Sequence, residues 1–142
     1  MNKKESKTNK SYAVTVYRQD DSQAQAAARG HALSLNIKKG SGEAGFNAAE
    51  TLLAALGACL LTNVNAIGTK MQLEIKSARI EFESIRQDDP PILSQIRYRL
   101  VLNSPEPREK LEELHALCLK WGTVTNTLIE GLTPQGSLEI ES

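Results

Sequence analysis

The stretch Glu50–Leu60, E-T-L-L-A-A-L-G-A-C-L, decides how this chain folds. Leucine and alanine dominate it, both strong helix formers. After Glu50 and Thr51 no charged or hydroxyl side chain interrupts it. A helix apolar on every side must be covered, either in a core or between subunits. A chain of 142 residues has few places to enclose one. Cys59 lies inside this helix and is one of only two cysteines. The functional question is whether its thiol is core filler or a nucleophile.

Working outward, the length suits one domain over residues 11–142, behind a flexible basic tail at residues 1–10. With one Trp, three Tyr and two Phe, the core must be aliphatic. Seventeen basic and 17 acidic residues cancel, so no net charge draws in nucleic acid, and the few aromatics offer no stacking platform. Met1–Lys10 is polar and no apolar run follows it, which argues against a signal peptide. The apolar run Thr51–Leu61 falls short of a bilayer span. The chain therefore reads as soluble and cytoplasmic, with no membrane partner. In a reducing compartment two cysteines do not read as a structural disulfide. His31 and His115 make no metal-ligand spacing with them, so no metal or cofactor is expected.

Ser11–Arg18 alternates and is rich in β-branched residues, so it reads as a strand. Gln19–Gln25 reads as a polar turn and Ala26–Lys38 as a second strand region, clearest in His31–Lys38. Lys39–Gly45 reads as a flexible glycine-rich loop. Asn47 is placed to cap the central helix, which runs to about Thr69. Met71–Arg86 and Ile92–Asn103 read as two long strands joined by the turn signal Asp88-Asp89-Pro90-Pro91. Pro105 and Pro107 open a second helix carrying Leu111, Leu114, Leu117, Cys118 and Trp121 at helical spacing. Thr123 or Thr125 can cap a short third helix ending near Gly131, and Ser137–Glu141 reads as a closing strand. The order is β-β-α-β-β-α-α-β, an α+β class.

Four segments of this order resemble the OsmC/Ohr family, the osmotically inducible and organic-hydroperoxide-resistance proteins. They are Arg29-Gly30-His31; Gly45–Glu50, G-F-N-A-A-E, similar to the family's G-x-N-P-E-E; Leu52–Leu60, L-L-A-A-L-G-A-C-L; and Gly122–Leu128, G-T-V-T-N-T-L, similar to C-P-V-S-N-T-L. The resemblance implies an OsmC-like fold, with antiparallel sheets wrapped around a buried central helix in an intertwined homodimer whose active sites lie at the subunit interface.

It also implies chemistry. Active members reduce organic hydroperoxides: a cysteine thiolate takes the peroxide oxygen, becomes a sulfenic acid, and a second cysteine closes a disulfide that a dithiol reductant reopens. Cys59 matches the reacting position. A thiol in an apolar helix prefers its proton, so a cation must favour the thiolate, and Arg29 is the candidate. Ala55, Leu56 and Thr62, one turn from Cys59, would make a small, mostly apolar wall suited to alkyl or lipid hydroperoxides.

Two positions depart from the pattern. The family acid aligns with Ala49, and Glu50 comes one residue later. At about 100° and about 1.5 Å per residue, Glu50 lies on the far side of the helix and roughly 13 Å from Cys59. It could help only across the dimer or by holding Arg29; otherwise it favours the helix N-terminus electrostatically. The resolving cysteine aligns with Gly122, which has no thiol. Cys118 stands one turn earlier, displaced by about 6 Å, and a disulfide needs its Cα atoms within about 7 Å. Cys118 is therefore a core thiol, or a resolver only if its helix shifts or unwinds. His31 reads as a surface or strand-edge residue, with contact to the peroxide site as the alternative, His115 as a helix-flank residue, and Trp121 as core packing beside the interface or a wall of the pocket.

Two functions follow from these expectations. One is an oxidative-stress thiol peroxidase acting on organic hydroperoxides through Cys59, with an external dithiol or low-molecular thiol as reductant. The other is a catalytically degenerate dimer of the same fold, binding a small apolar ligand or a protein partner at the subunit interface.

Overall fold

A computed structural model describes residues 9–141. The basic tail read at residues 1–10 lies, up to Thr8, outside the described residues. The elements in chain order are β1 (Thr15–Arg18), β2 (Gln23–Ala28), β3 (His31–Asn36), α1 (Ala48–Lys70), β4 (Ser77–Asp88), β5 (Pro91–Asn103), α2 (Arg108–Lys120) and α3 (Thr123–Glu130). They group into two compact units, Met1–Leu52 and Leu53–Ser142, with α1 opening in the first and continuing into the second.

The first unit is an antiparallel sheet in the order β1-β2-β3. Gln23–Gln25, read as part of a turn, instead begin β2, because Gln23 pairs with Asn36 and Ala24 with Leu35. The single strand region expected over Ala26–Lys38 is thus two strands. They reverse at Arg29 and Gly30, whose φ angles of 53° and 82° suit a two-residue hairpin turn. The Lys39–Gly45 loop is held rather than loose. The buried Asn36 side chain donates to the carbonyls of Ser41 and Glu43, both at 3.3 Å, and accepts from the Lys38 amide at 2.9 Å.

α1 starts on a reciprocal cap. The Glu50 amide donates to Asn47 Oδ1 at 2.8 Å, and the Asn47 amide donates to Glu50 Oε1 at 2.9 Å. These bonds satisfy two donors that a helix start otherwise leaves free. The helix runs 23 residues and its most apolar window has a mean hydropathy of 1.6, enough by length and composition to cross a membrane. Its role in the second unit is that of core helix: Leu56, Leu60 and Val64 pack with Leu114 and Cys118 of α2.

β4 and β5 form the expected long hairpin, from Ser77 opposite Asn103 to Asp88 opposite Pro91. The strands begin later than Met71, which instead closes the turn after α1 by donating to the Ile67 carbonyl. The period of two sends Ile80, Phe82, Ile96, Tyr98, Leu100 and Leu102 toward the core cluster. Arg79, Glu81 and Arg99 face outward, and both arginines pair with Glu81. Gly57 costs helix propensity in mid-α1, but a Cβ there would stand 3.1 Å from the Phe82 ring. Its bareness lets the hairpin lie close on the helix.

α2 begins after Pro107 and buries Leu114 and Cys118. Gly122 follows and is itself the N-cap of α3, without a side-chain cap bond, so neither Thr123 nor Thr125 caps that helix. Thr123 is its first helical residue. The strand expected at Ser137–Glu141 is absent among the described residues. Leu138 and Ile140 are more than four-fifths exposed, and no strand edge pairs with them.

Candidate active site

Cys59 stands on α1 three residues beyond Leu56 and one before Leu60, so the packing that buries those two leucines leaves its side chain at the edge of the core. The Cys59 side chain is half-buried, whereas Cys118 is fully buried, and both thiols are free. The wall expected around Cys59 divides: Leu56 turns into the core, while Ala55 and Thr62 face outward.

Cys59 meets the junction between α2 and α3. A Cβ built on Gly122 would lie 3.1 Å from Cys59 Sγ, 3.1 Å from the Cys118 carbonyl oxygen and 2.8 Å from Thr125 Oγ1. The position that the sequence pattern marked for a resolving thiol is therefore beside Cys59, and it is bare backbone. In a disulfide, the Cβ of one cysteine stands about 3 Å from the sulfur of the other, given an S–S bond of about 2.05 Å. The backbone at Gly122 has that relation to Cys59; only the thiol is missing.

Cys118 is its neighbour across the core. Burial, with a smaller contribution from the nearby Cys59 sulfur, pushes the Cys118 thiol up to about 11. The thiolate is the nucleophile in disulfide chemistry, so this environment keeps Cys118 protonated and inert near neutral pH. Asn63, half-buried one turn after Cys59, donates its amide to the Cys118 carbonyl at 3.1 Å and ties α1 to the end of α2. Asn65 is exposed, and its carbonyl accepts from Thr69 Oγ1. A groove of about 550 Å³ runs beside Asn63, with Ala66, Ile67, Met71, Leu117 and Trp121 along it and Lys70 at its edge. Trp121, expected as core packing or as a pocket wall, is 64% exposed and forms part of this wall.

The remaining candidates belong to other elements. Arg29 occupies the exposed β2–β3 turn of the first unit and makes no ion pair among the described residues. Glu50 is engaged in the cap of α1. His31 is the exposed first residue of β3. His115 is half-buried, with its Nε2 2.5 Å from the Tyr98 hydroxyl. Burial, and then the Cys118 sulfur, raise the Tyr98 hydroxyl above its ordinary value. Sequence reasoning missed Thr125 as a neighbour of the thiol. Its place in the G-T-V-T-N-T-L segment was the available signal.

An α+β fold with a long core helix carrying a half-exposed thiol, closed by an antiparallel hairpin and two shorter helices, defines a class of small thiol-bearing domains. Within that class the chain belongs to the OsmC-like protein family, whose model matches residues 38–135. It is 25% identical over 123 residues to a hydroperoxide reductase of Mycoplasma genitalium, covering 84% of this chain and 87% of that protein. Its fold is similar to the crystal structure of an OsmC-like protein from Mycoplasma pneumoniae, with a TM-score of 0.79, 22% identity, and 86% and 89% of the two chains covered. It is also similar to the organic hydroperoxide resistance protein OhrB of Bacillus subtilis, with a TM-score of 0.60, 18% identity, and 83% and 90% covered.

Proposed function

We propose that this protein is a thiol-dependent peroxidase that reduces organic hydroperoxides in the cytoplasm. The observation that carries the reading is the contrast between its two thiols. Cys59 is reachable at the edge of the core, while Cys118 is sealed and held protonated. Cys59 is the nucleophile, and its thiolate sulfur takes the outer peroxide oxygen as the alcohol leaves. The hydroperoxide reductase of Mycoplasma genitalium, similar over most of both chains, supports the same chemistry. The apolar groove at Asn63 suits an alkyl hydroperoxide better than hydrogen peroxide.

The working unit in this reading is a homodimer. In the single chain Ala54, Ala55, Ala58, Thr62 and Ala66 of α1 are exposed, which leaves an apolar helix with one uncovered side. A second copy is the cover that the fold calls for. Arg29, in the β2–β3 turn, is the candidate cation, and Glu50 holds the start of α1 through its bond with Asn47. Since Gly122 bears no thiol and Cys118 is sealed, an external dithiol or low-molecular thiol reduces the oxidised Cys59.

The test is consumption of cumene hydroperoxide in the presence of a dithiol by the wild-type chain and by Cys59→Ser. We expect turnover by the wild type and none above background by the variant. Equal rates in the two would remove the peroxidase reading. They would leave the second one, a dimer binding an apolar ligand or a protein partner, which the bare backbone at Gly122 favours.

A further inference from the structure

We propose that the Thr125 hydroxyl is a catalytic group of the Cys59 site, donating a hydrogen bond to the peroxide oxygen that departs when the sulfur takes the other. The inference rests on the peroxidase reading and assigns that site its oxygen-binding donor.

Thr125 is 8% exposed, yet its Oγ1 has no hydrogen-bond partner among the described residues. Four other helical threonines are satisfied. Thr51, Thr62, Thr69 and Thr127 each donate to the carbonyl four residues earlier, at 2.7 to 2.8 Å. Thr125 is the third residue of α3, and the residue four before it, Trp121, lies ahead of the N-cap Gly122. Its hydroxyl is left for something else. A buried polar group without a partner is rare in a native fold and asks for a reason.

Its direction supplies one. Thr125 Oγ1 and Cys59 Sγ approach the same point, 2.8 Å and 3.1 Å from where a Cβ of residue 122 would stand. Gly122 keeps a side chain from coming between them. The same residue is the N-cap of α3 and brings no side-chain cap, so the free amides and positive end of that helix open beside the hydroxyl. A nucleophile and a donor that converge on one small region, with no side chain intervening, is the arrangement an oxygen-transfer step requires.

The step balances as follows. The Cys59 thiolate attacks the outer oxygen of an organic hydroperoxide. The S–O bond forms, the O–O bond breaks, and the electron pair leaves on the inner oxygen as an alkoxide. The transferred oxygen keeps its hydrogen, making Cys59 a sulfenic acid. The alkoxide takes a proton from solvent and leaves as the alcohol. Sulfur is oxidised by two electrons and the peroxide is reduced by two. Negative charge develops on the departing oxygen, where a fixed donor in a water-poor site lowers the barrier most.

The experiment uses the full chain and two electrophiles. Cumene hydroperoxide has an oxygen to hold, and iodoacetamide does not. Single-turnover oxidation and alkylation of Cys59 are followed by intact mass for the wild type, Thr125→Val and Thr125→Ser. Valine keeps the shape and removes the hydroxyl; serine keeps the hydroxyl. We expect the valine variant to oxidise about 100-fold more slowly while alkylation changes by less than about threefold, with the serine variant close to wild type. Oxidation of the valine variant at the wild-type rate would overturn the inference, as would equal loss in both reactions or failure of serine to restore the rate. If the wild type itself does not oxidise, the peroxidase reading falls and the inference falls with it. If the wild type oxidises and valine makes no difference, only the inference falls.

Discussion

α1 and α3 begin in different ways. At α1 the N-cap is Asn47 and the third helical residue is Glu50, and each side chain accepts from the other's amide. At α3 the N-cap is Gly122 and the third helical residue is Thr125. No side chain caps that end, and the Thr125 hydroxyl is buried without a partner. The same positions are used in both helices, saturated in one and open in the other. The saturated start stabilises a helix. The open start faces Cys59, and leaving it open costs folding energy of about 1–3 kcal/mol for a buried hydroxyl. Of the two buried hydroxyls without a partner among the described residues, Ser84 and Thr125, the one on α3 is the one that stands beside Cys59.

The sharpest way to break this comparison is Gly122→Cys. A Cβ at residue 122 would stand 3.1 Å from Cys59 Sγ, the relation that a disulfide needs, once the Thr125 hydroxyl 2.8 Å from it gives way. After one equivalent of cumene hydroperoxide, the variant should lose two hydrogens in mass and form an intramolecular disulfide, while the wild type gains an oxygen. If Cys59 and the introduced thiol both stay countable after oxidation and denaturation, α3 does not begin where the comparison requires it.

A smaller effect tests the sealed thiol. Cys118 is pushed up to about 11 in the fold from an ordinary thiol value of 9.0. A thiol whose folded value is raised is favoured in its protonated form. Its stabilisation is complete below pH 9.0 and is lost as pH rises through about 11, where the unfolded chain has already ionised. Urea unfolding should show a loss on the order of 2 kcal/mol across that window, and Cys118→Ala should flatten it. Tyr98 shifts in the same direction, so the variant keeps part of the slope. A wild-type curve with no alkaline loss would mean that Cys118 is not sealed.

The smallest effect separates structural capping from chemistry. Asn47→Ala should cost about 1 kcal/mol in urea unfolding by opening the cap of α1, and it should leave the iodoacetamide reactivity of Cys59 unchanged. A large change in that reactivity with little loss of stability would give the start of α1 a chemical role and dissolve the contrast.

Much of the fold was legible because its signals are local. The apolar run around Cys59, the Asn47 cap, the Asp88–Pro91 turn and the period of two in β4 and β5 are each set by a few neighbouring residues. Errors fell where distant pairing overrides local pattern. Gln23–Gln25 look like a turn by composition, yet the register with Ser34, Leu35 and Asn36 makes them strand. Leu138 and Ile140 alternate like a strand, but alternation needs an edge to pair with, and none is supplied to them among the described residues. For Trp121, helical spacing pointed to the core, but the helix ends there and the ring turns outward.

By itself the sequence determined that Cys59 would lie on an apolar central helix, that Glu50 could not serve that thiol along its own helix, and that the pattern's second thiol is missing at Gly122. Apolar composition and helical period dictate the first two, and the third is what the resemblance to the family pattern implies. Only the tertiary structure decided that Gly122 lies against Cys59, that Cys118 is sealed and protonated, and that Thr125 holds an unpartnered hydroxyl at the same backbone position as the Cys59 sulfur. These depend on how α2 and α3 close over α1. The close-packed contacts that set that closure form between residues more than fifty positions apart, where no local pattern in the chain can register them.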